Sequence, residues 1–240
     1  MSKIDSFIYK TTLNDYLELY NSLPKIDKLN PKSNLLINNK DYYQLQLKNG
    51  NKPALCIVPK YLEHIPLNKK YYSYVNTNPI FWMIPVDTIS NKICGFLLKG
   101  FKLKNYSWIH YAEISLLFGF EDFKDYQKGT PIIICEGWRD CLYIKQFYKY
   151  SLAINTASLN NGTVELLSHL TNKILLILDN DETGRIMTKE NTKKLNSKYV
   201  VVESVQPKLK DLGEYFTAPL DLQNKLLDQI ESKLEILNYY

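Results

Sequence analysis

The chain has 240 residues, 45% of them hydrophobic and 23% charged, and carries a formal net charge of +5. This is length enough to bury one large core or two small ones. No apolar run approaches the ~20 residues of a membrane-spanning helix, and the N-terminal MSKIDSFIYK has no signal-peptide core, so no membrane role and a cytoplasmic location are expected.

Leu13, Tyr16, Leu17 and Tyr20 recur at helical spacing, with Thr12 to cap and Pro24 to stop, predicting a helix over Thr12 to Leu23. Residues 25–40 are polar and rich in Pro and Asn, and read as a loop. YYQLQL and ALCIV alternate as strands do, with Asn49-Gly50 as a hairpin signal between them. FWMIPVD and ICGFLLKGFKL predict a second hairpin turning at Thr88 to Lys92, and Ala112 to Phe120 predicts a short helix. Beyond the linker EDFKDYQKGT the pattern changes. Strands are predicted at Pro131–Cys135, Leu152–Asn155, Lys173–Leu178 and Tyr199–Val202. Helices alternate with them at Trp138–Phe147 (Trp138, Leu142 and Phe147 inward), Val164–Leu170 and Gly184–Leu195. Strict alternation with continuously apolar strands predicts an α/β fold with a parallel, helix-covered sheet. Asp221 to Leu237 closes the chain as an amphipathic helix striped by Leu222, Leu226, Leu227, Ile230, Leu234 and Leu237.

Two of these strands end in acid. PIIIC runs into Glu136, Gly137 and Asp140, and ILLIL runs into Asp179, Asp181 and Gly184. In parallel α/β sheets, functional groups gather beyond the carboxyl ends of the strands. Acidic side chains crowded there repel, and a hard divalent cation is a physical reason to keep them. Asp179 and Asp181 are alternate residues of an extended segment and can face one ion. Asp140 is equally well explained as a first-turn residue favoured by the helix dipole. A third acidic stretch, KLKDLGEYF, places Asp211 and Glu214 after the last strand, and by itself reads as an ordinary charged loop. Thr183-Gly184-Arg185 opens a helix whose free N–H groups favour phosphate. The chain's two arginines, Arg139 and Arg185, both fall inside acidic motifs, where guanidinium geometry suits oxyanions. The four cysteines form no CxxC pair and the three histidines stand apart, so structural zinc and a disulfide framework are not expected.

These segments, in this order, resemble the Toprim domain over roughly Pro131 to Phe216. EGWRD is similar to the EGYMD of bacterial DnaG-type primases, DNDETGR to their DGDEAGR, ASLNNGT to their segment beginning SLGT, and KDLGEY to KDPDEY. Upstream, IFWMIPVDTISNKICGFLLKG resembles a primase stretch, matching at Pro85, Asp87, Gly95 and Phe96 with Lys99 where arginine is usual. KNYSWI and SLLFGF resemble the KYLNSP and LYGL elements. Residues 1–75 are too divergent to place. One departure concerns the third acidic segment: Gly213 stands where the family usually has a second aspartate.

The resemblance implies a Toprim domain (129–217), a mixed, strand-rich α+β primase-core-like region before it (1–128) and the C-terminal helix (218–240). It implies a phage-like or bacterial DNA primase core, or a core subunit, making short RNA primers on single-stranded DNA. Two Mg²⁺ or Mn²⁺ ions, and no zinc, would sit on Glu136, Asp179 and Asp181, with Asp140 and Asp211 in support. Lys99, Lys104, Arg185 and Gly184 would contact template or triphosphate. Nucleoside triphosphates, a replicative helicase and a separate template-recognition subunit are the implied partners. The alternatives are a Toprim-type metal-dependent nuclease or phosphotransferase, and a non-autonomous nucleic-acid-binding replication subunit.

Overall fold

The computed structural model describes residues 55–57, 81–87, 93–100, 106–110 and 117–240. The predicted Thr12–Leu23 helix, the YYQLQL strand, the Asn49-Gly50 turn and Lys104 lie outside the described residues. The chain divides into two compact units, one made of Met1–Thr88 and Lys92–Leu116, the other carried by Leu117–Tyr240.

Among the described residues, the first unit holds an antiparallel sheet of β1 (Leu55–Ile57), β2 (Phe81–Asp87), β3 (Ile93–Gly100) and β4 (Tyr106–His110), in that spatial order. The predicted hairpin is the β2–β3 pair, with Pro85 opposite Phe96 and a register shift at Val86/Asp87. Lys99 sits in β3 opposite Trp82 and Tyr106.

The second unit is α/β. Its parallel sheet contains β5 (Ile132–Cys135), β6 (Ser151–Ala153), β7 (Lys173–Ile177) and β8 (Val201–Ser204), in the order β6-β5-β7-β8. The connections are α1 (Trp138–Ile144), α2 (Asn161–Leu170) and α3 (Glu182–Asn196). A final helix, α4 (Leu220–Asn238), follows the 3-10 turn Leu212–Thr217.

Successive strand residues point to opposite faces, and both faces are covered. Ile132, Ile134, Leu152, Ile174 and Leu176 pack with Val164 and Leu167 of α2 and Leu195 of α3. Ile133, Cys135, Leu175 and Ile177 pack with Tyr143 and Ile144 of α1, Tyr215, and Leu226, Ile230 and Leu237 of α4. This explains why the strands read as unbroken apolar runs. The stripe of α4 is consumed by the second face of the sheet. Ile230 is 1% exposed, so Ile230→Ala is expected to cost about 2–5 kcal/mol through lost burial and a residual cavity. Urea unfolding followed by the signal of this unit measures it.

Four predicted elements differ from those observed. The expected helix over Ala112 to Phe120 does not reach its end: Phe118 makes an antiparallel bridge to Ala153, and Gly119 takes φ 117°. Leu117, Phe118 and Phe120 are all buried, which an extended segment on the edge of β6 achieves and one helical face would not. The expected linker then folds as the 3-10 turn Phe120–Asp125, packing Phe120 and Phe123 into the core. Phe147, expected inward, is 40% exposed because α1 stops at Ile144 and the helical period no longer applies. Tyr199 is an exposed turn residue at φ 60°, and β8 begins only at Val201.

Candidate functional site

The strand order places the acidic motifs. From β5 the chain crosses to β6 on one side, then returns past β5 to β7 on the other. The helices leaving β5 and β7 consequently cover opposite faces, and the tips of these adjacent strands lie where the order reverses, the place at which sheets of this kind bind ligands. Cys135 and Ile177 are paired at the ends of β5 and β7. Glu136 follows one and Asp179 the other.

Backbone amides hold several of these acids. Asp140, 6% exposed, accepts from Gly137 N–H at 2.9 Å through Oδ2 and from Gly213 N–H at 2.8 Å through Oδ1. Asp181 caps α3, accepting from Gly184 N–H at 2.8 Å. Asp211 caps the 3-10 turn, accepting from Glu214 N–H at 3.0 Å. Glu136 Oε2 lies 3.5 Å from the Asp179 N–H, at the limit of a hydrogen bond. The loop after β8 crosses back over this edge, with Asn180 N–H donating to Lys210 O at 2.6 Å, and thereby brings Asp211 to the other acids.

Their mutual influence appears in the protonation equilibria. Burial, then the charges of Asp181 and Asp211, raise Glu136 from its ordinary value against the pull of the Asp179 N–H and Lys210. Burial and Asp211 raise Asp140 to about 6, against its two backbone hydrogen bonds and Arg139. Asp179 is raised to about 7 by burial and then by Glu136, Asp140, Asp211 and Asp181. Glu136, Asp140, Asp179, Asp181 and Asp211 thus share one electrostatic neighbourhood, and every cause acting on Asp179 opposes its ionisation.

Hard oxygen donors under such repulsion have the chemistry of a Mg²⁺ or Mn²⁺ site. Among the described residues, however, no three His, Cys, Asp or Glu side chains stand as a ready ion cage. Asp140, Asp181 and Asp211 are turned onto amides, and like charges separate. The donor set fits a divalent cation in type, while a closed arrangement would need these side chains to turn.

The protonation shifts fix a sign for stability. A carboxyl whose pKa is higher in the folded state favours folding fully below its ordinary value of about 4, and that contribution is lost as pH rises through the folded value. For Asp140 the two-unit rise corresponds to roughly 3 kcal/mol. Thermal unfolding in chelator is therefore expected to show the second unit losing stability between pH 4 and 8. Millimolar Mg²⁺ is expected to recover most of that loss at pH 8 and little at pH 5.

Other predicted site residues have the following places. Glu214 Oε2 accepts from Lys210 N–H at 3.0 Å and is held within its own loop. Arg185 is exposed and donates to Asn180 Oδ1 at 3.2 Å. Gly184 is buried, and a Cβ built there would overlap the carbonyl oxygen of Asp179, with the Asp179 carbonyl carbon at 2.9 Å and Cα at 3.3 Å. Its role in the structure is close approach of α3 to the tip of β7. Sequence reasoning missed the Gly213 N–H, which holds Asp140, and Asn155, which sits beneath the Glu136 turn. A non-glycine residue is hard to assign a left-handed backbone from sequence, although Asn is among the likelier ones to adopt it.

Comparison with known proteins places these features. The Toprim-like family matches residues 133–216. No curated protein matches the chain by sequence. Among solved structures, the zinc-binding and RNA polymerase domains of the Aquifex aeolicus primase are similar at 24% identity and a TM-score of 0.54, over 62% of this chain and 40% of that one. The primase fragment of the bacteriophage T7 primase-helicase protein is similar at 18% identity and a TM-score of 0.50, over 62% of each chain. The E. coli primase catalytic core is similar at 14% identity and a TM-score of 0.60, over 92% of this chain and 80% of that one. This chain therefore spans less than two thirds of the first two, and at these identities the likeness is one of fold. Residues 133–216 thus match the Toprim-like family, and the fold of the chain resembles that of DnaG-type primase catalytic cores.

Proposed function

We propose that this protein is the catalytic core, or a core subunit, of a DNA primase that makes short RNA primers on single-stranded DNA. The observation that carries this is the acidic cluster: five mutually repelling carboxylates beyond the ends of β5 and β7 and in the loop after β8, in a fold shared with primase catalytic cores. The reaction is nucleotidyl transfer. A 3′-hydroxyl attacks the α-phosphate of a nucleoside triphosphate, the new P–O bond forms, and pyrophosphate leaves.

Glu136, Asp179 and Asp181 are the proposed ligands of Mg²⁺ or Mn²⁺, with Asp140 and Asp211 supporting them. When bound, the ions lower the hydroxyl's pKa and neutralise charge on the reacting phosphate. Gly184 lets α3 approach β7 closely enough to bring Asp181 beside Asp179. Lys99, Lys104 and Arg185 neutralise template or triphosphate oxygens. A replicative helicase is a fitting partner, since a phage relative of the same fold is a primase-helicase, and a separate subunit would supply template recognition. Among the described residues no helix is long and apolar enough to cross a membrane, in keeping with work in a bacterial or phage-infected cytoplasm.

The test is incorporation of labelled ribonucleotides on single-stranded DNA with Mg²⁺ or Mn²⁺. Template-dependent oligoribonucleotides are expected. Cleavage of labelled DNA in Mn²⁺ without nucleotides, together with no incorporation, would replace this assignment with a Toprim-type nuclease.

A further inference from the structure

Asn155 follows β6 and is one of the described non-glycine residues with a positive φ, at 52°. Its contacts converge on the turn that carries Glu136. The Asn155 N–H donates to Glu136 O at 2.6 Å. Its Oδ1 accepts from Trp138 N–H at 3.1 Å, and its Nδ2 donates to Ala153 O at 3.3 Å. One residue therefore grips the backbone on both sides of Gly137, before it through a carbonyl and after it through an amide. The neighbouring Ile154 N–H, donating to Cys135 O at 3.1 Å, continues the ladder from β6 up to this grip.

The left-handed backbone lets the main-chain N–H and the side-chain oxygen of one residue reach the same turn. Asn tolerates that conformation through its short polar side chain. Glu136 has little else to fix it, since its carboxylate meets the Asp179 N–H only at 3.5 Å. The direction in which the glutamate leaves β5 is thus set by its backbone, which Asn155 holds from the end of β6 beside the grip of Asp140 on the Gly137 N–H.

We infer that Asn155 is a positioning residue for Glu136, holding the Glu136-Gly137-Trp138 turn so that the glutamate faces Asp179. This rests on the metal-binding reading of the acidic cluster. Groups that orient a metal ligand without touching the ion typically change affinity by about 10–100-fold when removed.

The experiment measures Mn²⁺ binding to the full chain by the electron paramagnetic resonance of free Mn²⁺, beside primer synthesis and thermal unfolding. Asn155→Gly keeps access to the left-handed backbone and loses the side-chain grip. It is expected to bind Mn²⁺ about tenfold more weakly, to lose kcat in step with KM for nucleotide unchanged, and to melt within a few degrees of the wild type. Asn155→Asp keeps both the backbone and the acceptor for Trp138, and is expected to bind Mn²⁺ as the wild type does. Should Asn155→Gly fail to fold, Asn155→Asp carries the test alone, and a tenfold loss of Mn²⁺ affinity in it overturns the proposal. Wild-type Mn²⁺ affinity and kcat in a folded Asn155→Gly overturn it while leaving the metal site standing. No Mn²⁺ uptake by the wild type overturns the metal reading and this proposal together.

Discussion

Asp179→Asn is expected to lower the proposed primer synthesis by on the order of 100-fold or more, because losing a proposed direct metal ligand costs at least what losing one of its supports does. The same substitution is expected to raise the melting temperature of the protein in chelator at pH 8. Burial and four neighbouring carboxylates all oppose ionisation of Asp179, pushing its pKa up to about 7. An amide of the same shape carries no charge to desolvate and repels none of the others. A half-buried acid whose ionisation every neighbour opposes is a candidate for function. Calorimetry in chelator and in Mg²⁺ separates the two effects: the wild type should gain stability from Mg²⁺, and the variant should gain little. A variant with full activity, or one destabilised in chelator, would remove Asp179 from the site.

The second large effect is expected from Gly184→Ala. On an ordinary helix this change is favourable by up to about 1 kcal/mol. Here the new methyl would enter the backbone of Asp179, meeting its carbonyl carbon at 2.9 Å and Cα at 3.3 Å. A flexible side chain could swing away from such a contact, whereas the end of β7 cannot. Overpacking of this kind costs about 1–3 kcal/mol and occasionally more, and relief requires α3 to retreat from the strand. That movement would carry off Asp181, whose carboxylate is tied to the same turn through the Gly184 N–H. Loss of stability and loss of Mn²⁺ affinity are therefore expected together. Gly162→Ala in α2 is the control: its nearest neighbour would be Asn160 Oδ1 at 3.5 Å, an ordinary contact. Unfolding and Mn²⁺ titration of both variants check the contrast. Equal behaviour would mean that the α3–β7 approach is not needed.

The periodicity of the second unit was legible because its chemistry is local. Strands buried on both faces must be apolar throughout, and β5 and β7 are. Helices covering them must be apolar on one face, and α4 is, with Leu226, Ile230 and Leu237 buried. Segments whose burial comes from a distant neighbour were not legible. Leu117 to Phe120 has the apolar content of a helix, but is extended at Phe118 because the edge of β6 is there to be bridged.

The candidate site divides in the same way. That Glu136, Asp179 and Asp181 end apolar strands is visible in the sequence, since an acid directly after a buried run has few packing reasons to be there. That these strands are neighbours, with the order reversing between them, was decided only by the tertiary structure, because strand order depends on contacts between residues some 40 positions apart. The part played by the third acidic segment was decided there too. Gly213 brings no second aspartate, yet its backbone N–H grips Asp140 across 73 positions of sequence. Residue types and their local spacing determined which groups carry charge and which strands they leave. The long-range backbone hydrogen bonds, which any residue but proline can donate and no side-chain pattern announces, decided how those charges face one another.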